Sequence, residues 1–365
     1  MFSAWLRAKF TDGLNTLWYP TQPLSPRQVP QPQRLSKVLL NTVLLTPLSW
    51  LVIGAARQRR MQRVLDRRQN PPIVIVGNMV VGGGGKTPII VHLCETLQAL
   101  GLHPAVLAHG YGGNVKHAIQ VLPGADPSQF GDEAVMLAQQ TQVPVYVAPT
   151  RLAAYALIKQ EIREQKKRID IVLCDDGLQH MQLPRAFEIV CFDARGVGNG
   201  LVLPAGPLRE PIANAQLTDA VVAAGPSPVA HHHIFRVTTK TLQVRHVNGQ
   251  GSDQSLADWA KQQRGRIHAV AGIANPRHFF DQLDAVGLAH TEHALADHAW
   301  PSQQIVRQLK DQCVLMTEKD AVKWRSVIQR DKLMTPDWYT LKIERETTPD
   351  LAELIQRTLF ESKTY

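Results

Sequence analysis

The chain has 365 residues, 44% of them hydrophobic and 19% charged. That length supports two ordinary domains, and the composition is that of a soluble globular protein with a full core. The net charge is +9, but residues 1–70 hold eleven basic and two acidic side chains, and the rest balances at twenty-nine of each. Positive charge confined to one arm excludes the diffuse basic surface of a nucleic-acid binder. Cys94, Cys174, Cys191 and Cys313 form no C-x-x-C pair. They read as reduced thiols without a metal or redox role, which suits a cytoplasmic setting.

In chain order, the first element is an apolar run at 38–56, "VLLNTVLLTPLSWLVIGAA", followed by "RQRRMQRVLDRR" at 57–68. As a helix the run would be about 28 Å long at ~1.5 Å per residue, near the ~30 Å hydrocarbon thickness. Asn41, Thr42, Thr46, Pro47 and Ser49 interrupt it. An apolar helix running into arginines suits insertion with a cytoplasmic basic end, or an interfacial helix on anionic lipid. Arg57, Arg60, Arg63 and Arg67 recur at helical spacing, so they are expected to face lipid phosphates together. A buried helix packed on the following domain is the alternative.

After Pro71-Pro72 short apolar runs alternate with amphipathic stretches. Strands are predicted at 73–78, 104–113, 143–149, 169–177, 187–194 and 219–225, and helices at 87–101, 132–141 and 151–165. This alternation predicts an α/β fold with a doubly wound, mostly parallel sheet. "GPSP" at 225–228 reads as a linker. Beyond it, a strand, loop and helix at 266–288 and strands at 312–324 and 337–344 predict a second, smaller α/β domain. The expected division is an arm at 1–70, a P-loop domain at 71–225, the smaller domain at 229–345 and a C-terminal helix at 346–365. His231, His232 and His233, just after the linker, read as solvent-facing.

The stretch "IVIVGNMVVGGGGKTP" carries the first chemical signal. A phosphate loop needs inward backbone N–H groups, a helix N-terminus, a lysine and a hydroxyl for Mg²⁺. Gly82, Gly83, Gly84, Gly85, Lys86 and Thr87 supply them between a strand and a helix. The common spacing G-x-x-x-x-G-K-[ST] fails, because Val80 stands where the first glycine belongs. "IDIVLCDDGLQH" at 169–180 is an apolar strand ending in Asp175 and Asp176, where a carboxylate can hold the metal that bridges phosphates. Asp132 and Glu133, taken alone, read first as carboxylates favoured by a helix dipole. Arg209 in "LPAGPLREP" could clamp a phosphate. Asp297 and His298 in "ADHAW" are a weaker signal.

Taken in order, "GNMVVGGGGKTP", "GYGG", "GDE", "DDGLQH", "LPAGPLREP", "GIANPRHFF", "DH" and "TEKDAVKW" resemble the tetraacyldisaccharide 4′-kinases, the lipid A 4′-kinases of Gram-negative bacteria. The motifs span roughly residues 45–325. The resemblance implies transfer of phosphate from ATP, with Mg²⁺, to the 4′-hydroxyl of an acylated glucosamine disaccharide. It also implies a helix docked on the cytoplasmic face of the bacterial inner membrane. The longer loop form of the family fits 77–88. By the same resemblance, Lys86 and Thr87 bind phosphates and Mg²⁺, and Asp175 and Asp176 are metal and phosphate-site carboxylates. Asp132 is the base partnered by His298, and Glu133, Gln179, His180, Arg209 and Glu210 line the cleft. Gly84 and His109 depart from the pattern, which usually has a Thr, Ser or Asn and an Arg there. Rival readings are a P-loop synthetase or ligase on a soluble acid, and a membrane-recruited nucleotide switch. "TEKD" fits a guanine-reading [NT]-K-x-D motif poorly.

Overall fold

The structure, a computed structural model, describes residues 18–19, 32–82, 85–249, 251–333 and 337–361. Its thirteen strands among these residues belong to one sheet. They are β1 (Ile73–Asn78), β2 (Pro104–Leu107), β3 (Ile119–Val121), β4 (Val145–Val147), β5 (Ile171–Asp175), β6 (Phe187–Phe192), β7 (Ala220–Ala223), β8 (Ile234–His246), β9 (Gln254–Ser255), β10 (Ile267–Ala271), β11 (His290–Ala294), β12 (Val314–Thr317) and β13 (Trp338–Thr348). The order across the sheet is β11-β10-β12-β13-β8-β7-β6-β1-β5-β2-β4-β3, with β9 paired to β8. Pairing is parallel except at β3–β4, β8–β13 and β8–β9.

The central strands are buried on both faces, so they read as continuous apolar runs rather than as alternation. Every residue of β1, β5 and β6 is buried. Val74 and Val76 join one core while Ile73 and Ile75 join the other, as the two-residue strand period requires. Ala269 and Val270 of β10 divide between two further cores in the same way. Helix Lys86–Ala99, which follows β1, buries Ile89, Ile90, Leu93, Cys94 and Leu97, a single helical stripe. β1 lies between β5 and β6. The chain therefore winds outward to both sides of β1, and a crevice opens at the carboxyl ends of these strands.

The expected α/β alternation is present, with four local differences. β7 pairs in parallel with β8, Val221 against Ile234, so 225–228 is a connection inside a continuous sheet and not a break in it. The strand expected at 312–324 stops at Thr317. Thr317 caps helix Glu318–Asp331 through its side chain, and "EKDAVKW" is helical. β13 continues to Thr348, and the C-terminal helix runs only from Leu351 to Gln356 before a wider turn at Arg357–Glu361. β3, β8, β9 and β11 lacked a distinct sequence signal. β8 and β11 carry polar and exposed positions along much of their length, which blurs any apolar period.

The N-terminal arm is a helix, Pro32–Met61. No helix among the described residues is long and apolar enough to cross a membrane. The helix ends before Arg63, so the four arginines do not share one helical face. Arg60 Nε instead binds Glu210 Oε2 at 2.7 Å and Arg67 NH2 binds Asp219 Oδ1 at 2.7 Å. Arg63 pairs with the buried Glu188, which Arg185 also holds at 2.6 Å. Strong carboxylate partners on β6 and the loops beside it outcompete an open surface for these guanidinium groups. Ser49 and Ala56 are buried against the sheet domain, with Leu45, Val52 and Ile53 packed beside them. Leu44, Leu48, Trp50 and Leu51 are exposed.

Candidate active site

The site begins where β1 ends. A Cβ on Gly77 would lie 2.6 Å from the Leu178 Cβ, so the glycine lets the Asp175–Gln179 turn close over the strand. The next residues zip against the loop that carries Arg209. Val81 N donates to Pro207 O at 2.9 Å and Arg209 N donates to Met79 O at 2.7 Å. The Arg195 guanidinium, which the sequence reading missed, donates to Gly82 O at 2.9 Å. Gly83 and Gly84 lie outside the described residues. Gly85 stands at the N-cap of helix Lys86–Ala99 with no side-chain cap, which leaves first-turn N–H groups and the positive dipole end for an anion.

Lys86 Nζ is 2.9 Å from Asp176 Oδ1 and 3.2 Å from Asn78 Oδ1. Arg209 NH1 lies 3.3 Å from both Asp176 oxygens and 3.1 Å from Gln179 Oε1, while Gln179 Nε2 donates to Asn78 O at 3.2 Å. Burial opposes ionisation of Asp176, yet Lys86 and Arg209 outweigh it and hold the carboxyl at about 2. Asp175 differs. It is buried at the end of β5, and burial, with repulsion from Glu133, pushes its carboxyl up to about 7. Its Oδ1 has no hydrogen-bond partner. The two adjacent aspartates thus divide, one tied to cations and one with a free buried oxygen. Asp176 also takes a φ of 48°, a left-handed conformation uncommon outside glycine and found at functional sites.

Arg151, also missed, starts helix Arg151–Arg163. Its NH2 donates to Asp175 O at 2.7 Å and its NH1 sits 3.0 Å from His180 Nε2. Burial and the Arg151 charge press His180 down to about 4 and lower His109 as well. His109 is therefore neutral near pH 7, and Arg151 supplies the guanidinium charge beside it. Glu210 is buried; its Oε2 accepts from Arg60 and Asn214, its Oε1 has no hydrogen-bond partner, and it lines a small cavity with Gln179 and Arg209.

A second cluster forms around Asp132. A Cβ on Gly131, whose φ is 89°, would lie 2.7 Å from Tyr111 O, so only glycine lets the "GYGG" turn pack against the start of helix Asp132–Thr141. That packing fixes Asp132 as the first helical residue. His298 Nδ1 lies 3.0 Å from Asp132 Oδ2. His298 too is left-handed, at φ 60°, and its ring packs 4.9 Å from that of Tyr111. Burial alone would raise the Asp132 carboxyl. The hydrogen bond from His298 and the charges of Lys319 and Lys323 outweigh it and hold the carboxyl below its usual range. Neither lysine was singled out from the sequence, because "TEKDAVKW" read as strand. Glu133, next to Asp132, is near enough for its charge to repel Asp175 and to act on His109, which links the two clusters electrostatically.

A mostly parallel sheet with an uncapped helix N-terminus beside paired carboxylates and lysine is the architecture of an α/β enzyme that handles phosphate groups. The sequence profile of the family described as "Tetraacyldisaccharide-1-P 4′-kinase" matches residues 41–360. The tetraacyldisaccharide 4′-kinase of Methylobacillus flagellatus is 37% identical over 318 residues, covering 86% of this chain and 90% of that protein. The tetraacyldisaccharide 4′-kinase of Alcanivorax borkumensis is 40% identical over 285 residues, covering 76% and 83%. In fold, the chain is similar to LpxK from Aquifex aeolicus, solved in complex with ATP, with a TM-score of 0.68 at 21% identity. That match covers 87% of this chain and 99% of the other. The chain belongs to the tetraacyldisaccharide 4′-kinase family.

Proposed function

We propose that this kinase transfers the terminal phosphoryl group of ATP to the 4′-hydroxyl of a tetraacylated glucosamine disaccharide 1-phosphate. The observation that carries the reading is the pairing of a buried, ionised Asp132 with His298 in the cleft that also holds Lys86. Lys86 and the N–H groups beyond Gly85 hold the ATP phosphates, with Gly82 to Gly85 as the cradle. Thr87, Asp175 and Asp176 are the candidate Mg²⁺ groups. All are hard oxygen donors, and the unpartnered Asp175 Oδ1 fits such a cation best. Bound Mg²⁺ would offset phosphate charge. Asp132 accepts the hydroxyl proton as the oxygen attacks, His298 orients the carboxylate, and Arg209 and Gln179 position Asp176 beside Lys86.

Residues 71–225 and 229–345 act as two lobes in this proposal, with Asp132 from the first and His298 from the second. The base is then complete only when the lobes meet. Residues 1–70 form the arm and 346–365 the C-terminal helical segment, of which Leu351, Ala352, Ile355 and Leu359 pack into the first core. The arm helix seats one face on the protein, while Leu44, Leu48, Trp50 and Leu51 turn outward. That outer face fits the boundary of an anionic membrane, at the cytoplasmic face of the inner membrane where the acceptor's acyl chains lie. The test is a kinase assay with purified lipid disaccharide, ATP and either Mg²⁺ or a chelator. Mg²⁺-dependent 4′-phosphorylated product is expected. ATP hydrolysis without lipid product would overturn the reading.

A further inference from the structure

The block Thr317–Trp324 takes no part in the function argued so far. The structure turns it toward Asp132. Thr317 accepts from Asp320 N and starts helix Glu318–Asp331, which places Lys319 and Lys323 one turn apart on one face. Lys319 sits in the first turn, where the helix dipole disfavours cations. Lys323 is 1% exposed and its Nζ has no hydrogen-bond partner. A buried ammonium so placed is costly unless carboxylates face it. Two do, since Nζ stands 3.6 Å from Asp132 Oδ2 and 3.6 Å from Asp320 Oδ1. Asp320 is itself held in place by Gly272 N at 2.8 Å and Thr317 Oγ1 at 2.6 Å.

Lys319 acts on the other partner. Its Nζ lies 3.0 Å from His298 Nε2, 3.1 Å from Asp297 Oδ1 and 3.2 Å from Glu133 Oε1. An ammonium can only donate hydrogen bonds. His298 Nε2 must therefore present a lone pair, and a neutral ring then carries its proton on Nδ1, which faces Asp132. The charged and titratable groups around the base are thus Asp132 and Glu133 from one helix, Asp297 and His298 from the loop after β11, Lys319, Asp320 and Lys323 from the third element, and Tyr111, whose ring packs on His298, from the "GYGG" turn. The charge of Glu133 also acts on Asp175 on the phosphate side.

We infer that Lys319 and Lys323 are positioning residues for the base, Lys319 by fixing the Nδ1–H tautomer of His298 and Lys323 by holding Asp132 as the carboxylate. The inference rests on Asp132 being the base. In the reaction, Asp132 takes the proton of the acceptor hydroxyl while the oxygen bonds to phosphorus and the bond to the ADP oxygen breaks. The two lysines exchange no proton in this step. They keep the accepting oxygen deprotonated and directed before it.

The experiment measures kcat against pH for the full-length enzyme with lipid disaccharide and ATP, for Lys319→Met, Lys319→Arg, Lys323→Met and Lys323→Arg. A cation favours the carboxylate, so its removal raises the Asp132 pKa and moves the acid limb of kcat upward. A shift of about one pH unit is expected for Lys323→Met, with return toward wild type in Lys323→Arg. Lys319→Met is expected to lower kcat about tenfold or more, with the KM for ATP within about twofold. In nitrogen-15 spectra it should also turn the single His298 tautomer into a mixture. Should Lys323→Met fail to fold by circular dichroism, Lys319→Met carries the same readouts at a partly exposed position. Asp132→Asn is run alongside. If it keeps kcat within about tenfold, the base assignment itself is lost. If it is inactive while neither methionine variant moves the acid limb or the His298 signals, the lysine clamp alone is overturned.

Discussion

His298 and Asp132 are 166 positions apart in the chain, and the histidine Nδ1 lies 3.0 Å from the aspartate Oδ2. Neither residue is a strong signal alone. Asp132 opens a helix, where any carboxylate is favoured, and His298 sits in a loop beyond a separate set of strands. Their contact crosses from the first half of the chain to the second, beside the Lys323–Asp132 and Arg325–Gln139 contacts.

Replacing Asp132 with Ala should lower kcat by about 10²–10⁴, the range for a general base. His298→Ala should cost less, and the double variant should be no slower than Asp132→Ala alone, because the two groups act as a unit. Single-turnover assays with labelled ATP and lipid acceptor would show this. Additive losses would separate the pair.

Asp175 makes a prediction about pH. Its folded carboxyl stands near 7, above the ordinary value of 3.8. The native state then binds one more proton than the unfolded chain between these values, so this group lowers stability as pH rises through that window. Asp175→Asn should therefore raise the melting temperature of nucleotide-free protein at about pH 8 and abolish Mg²⁺-dependent turnover. Added Mg²⁺ and ATP should stabilise wild type and leave the variant unchanged.

The carboxylates that receive the arm's arginines should differ sharply in worth. Glu188 and Arg185 are fully buried, and Glu188→Ala strands the guanidinium. A loss of about 3–5 kcal/mol in denaturant melts is expected. Arg67 is 58% exposed beside Asp219, and Arg67→Ala should change stability by less than about 1 kcal/mol.

Trp50 and Leu51 are each 72% exposed. The double change to Ser should leave the melting temperature within a degree or so, since exposed side chains contribute little to folding. It should lower recovery with anionic vesicles in flotation. Unchanged flotation would remove this face from the membrane reading.

Much of the site was legible in the sequence. "GGGGKT" and "DDGLQH" lie where a strand gives way to a turn or helix, "GDE" lies where one helix gives way to the next, and local rules for glycine, helix termini and strand ends suffice to place them. Arg151, Arg195, Lys319 and Lys323 were not legible. Each is an ordinary basic residue whose partner stands on another element, so no local pattern marks it. The arginines of 57–68 misled for the same reason. Their spacing suggested a shared outward face, and only the folded sheet shows Glu188, Glu210 and Asp219 waiting for them.

The sequence by itself determined the α/β alternation, the placing of a glycine run between a strand and a helix, the acidic strand end and the family, because these follow from backbone sterics, from the period of buried side chains and from the order of the motifs. The tertiary structure decided which charges pair. An apolar run commits its neighbours through local geometry, but a charged side chain is committed only by whatever group the fold brings within about 4 Å of it. That distance gave Asp176 to Lys86, Asp132 to His298, and Arg60, Arg63 and Arg67 to carboxylates of the protein itself.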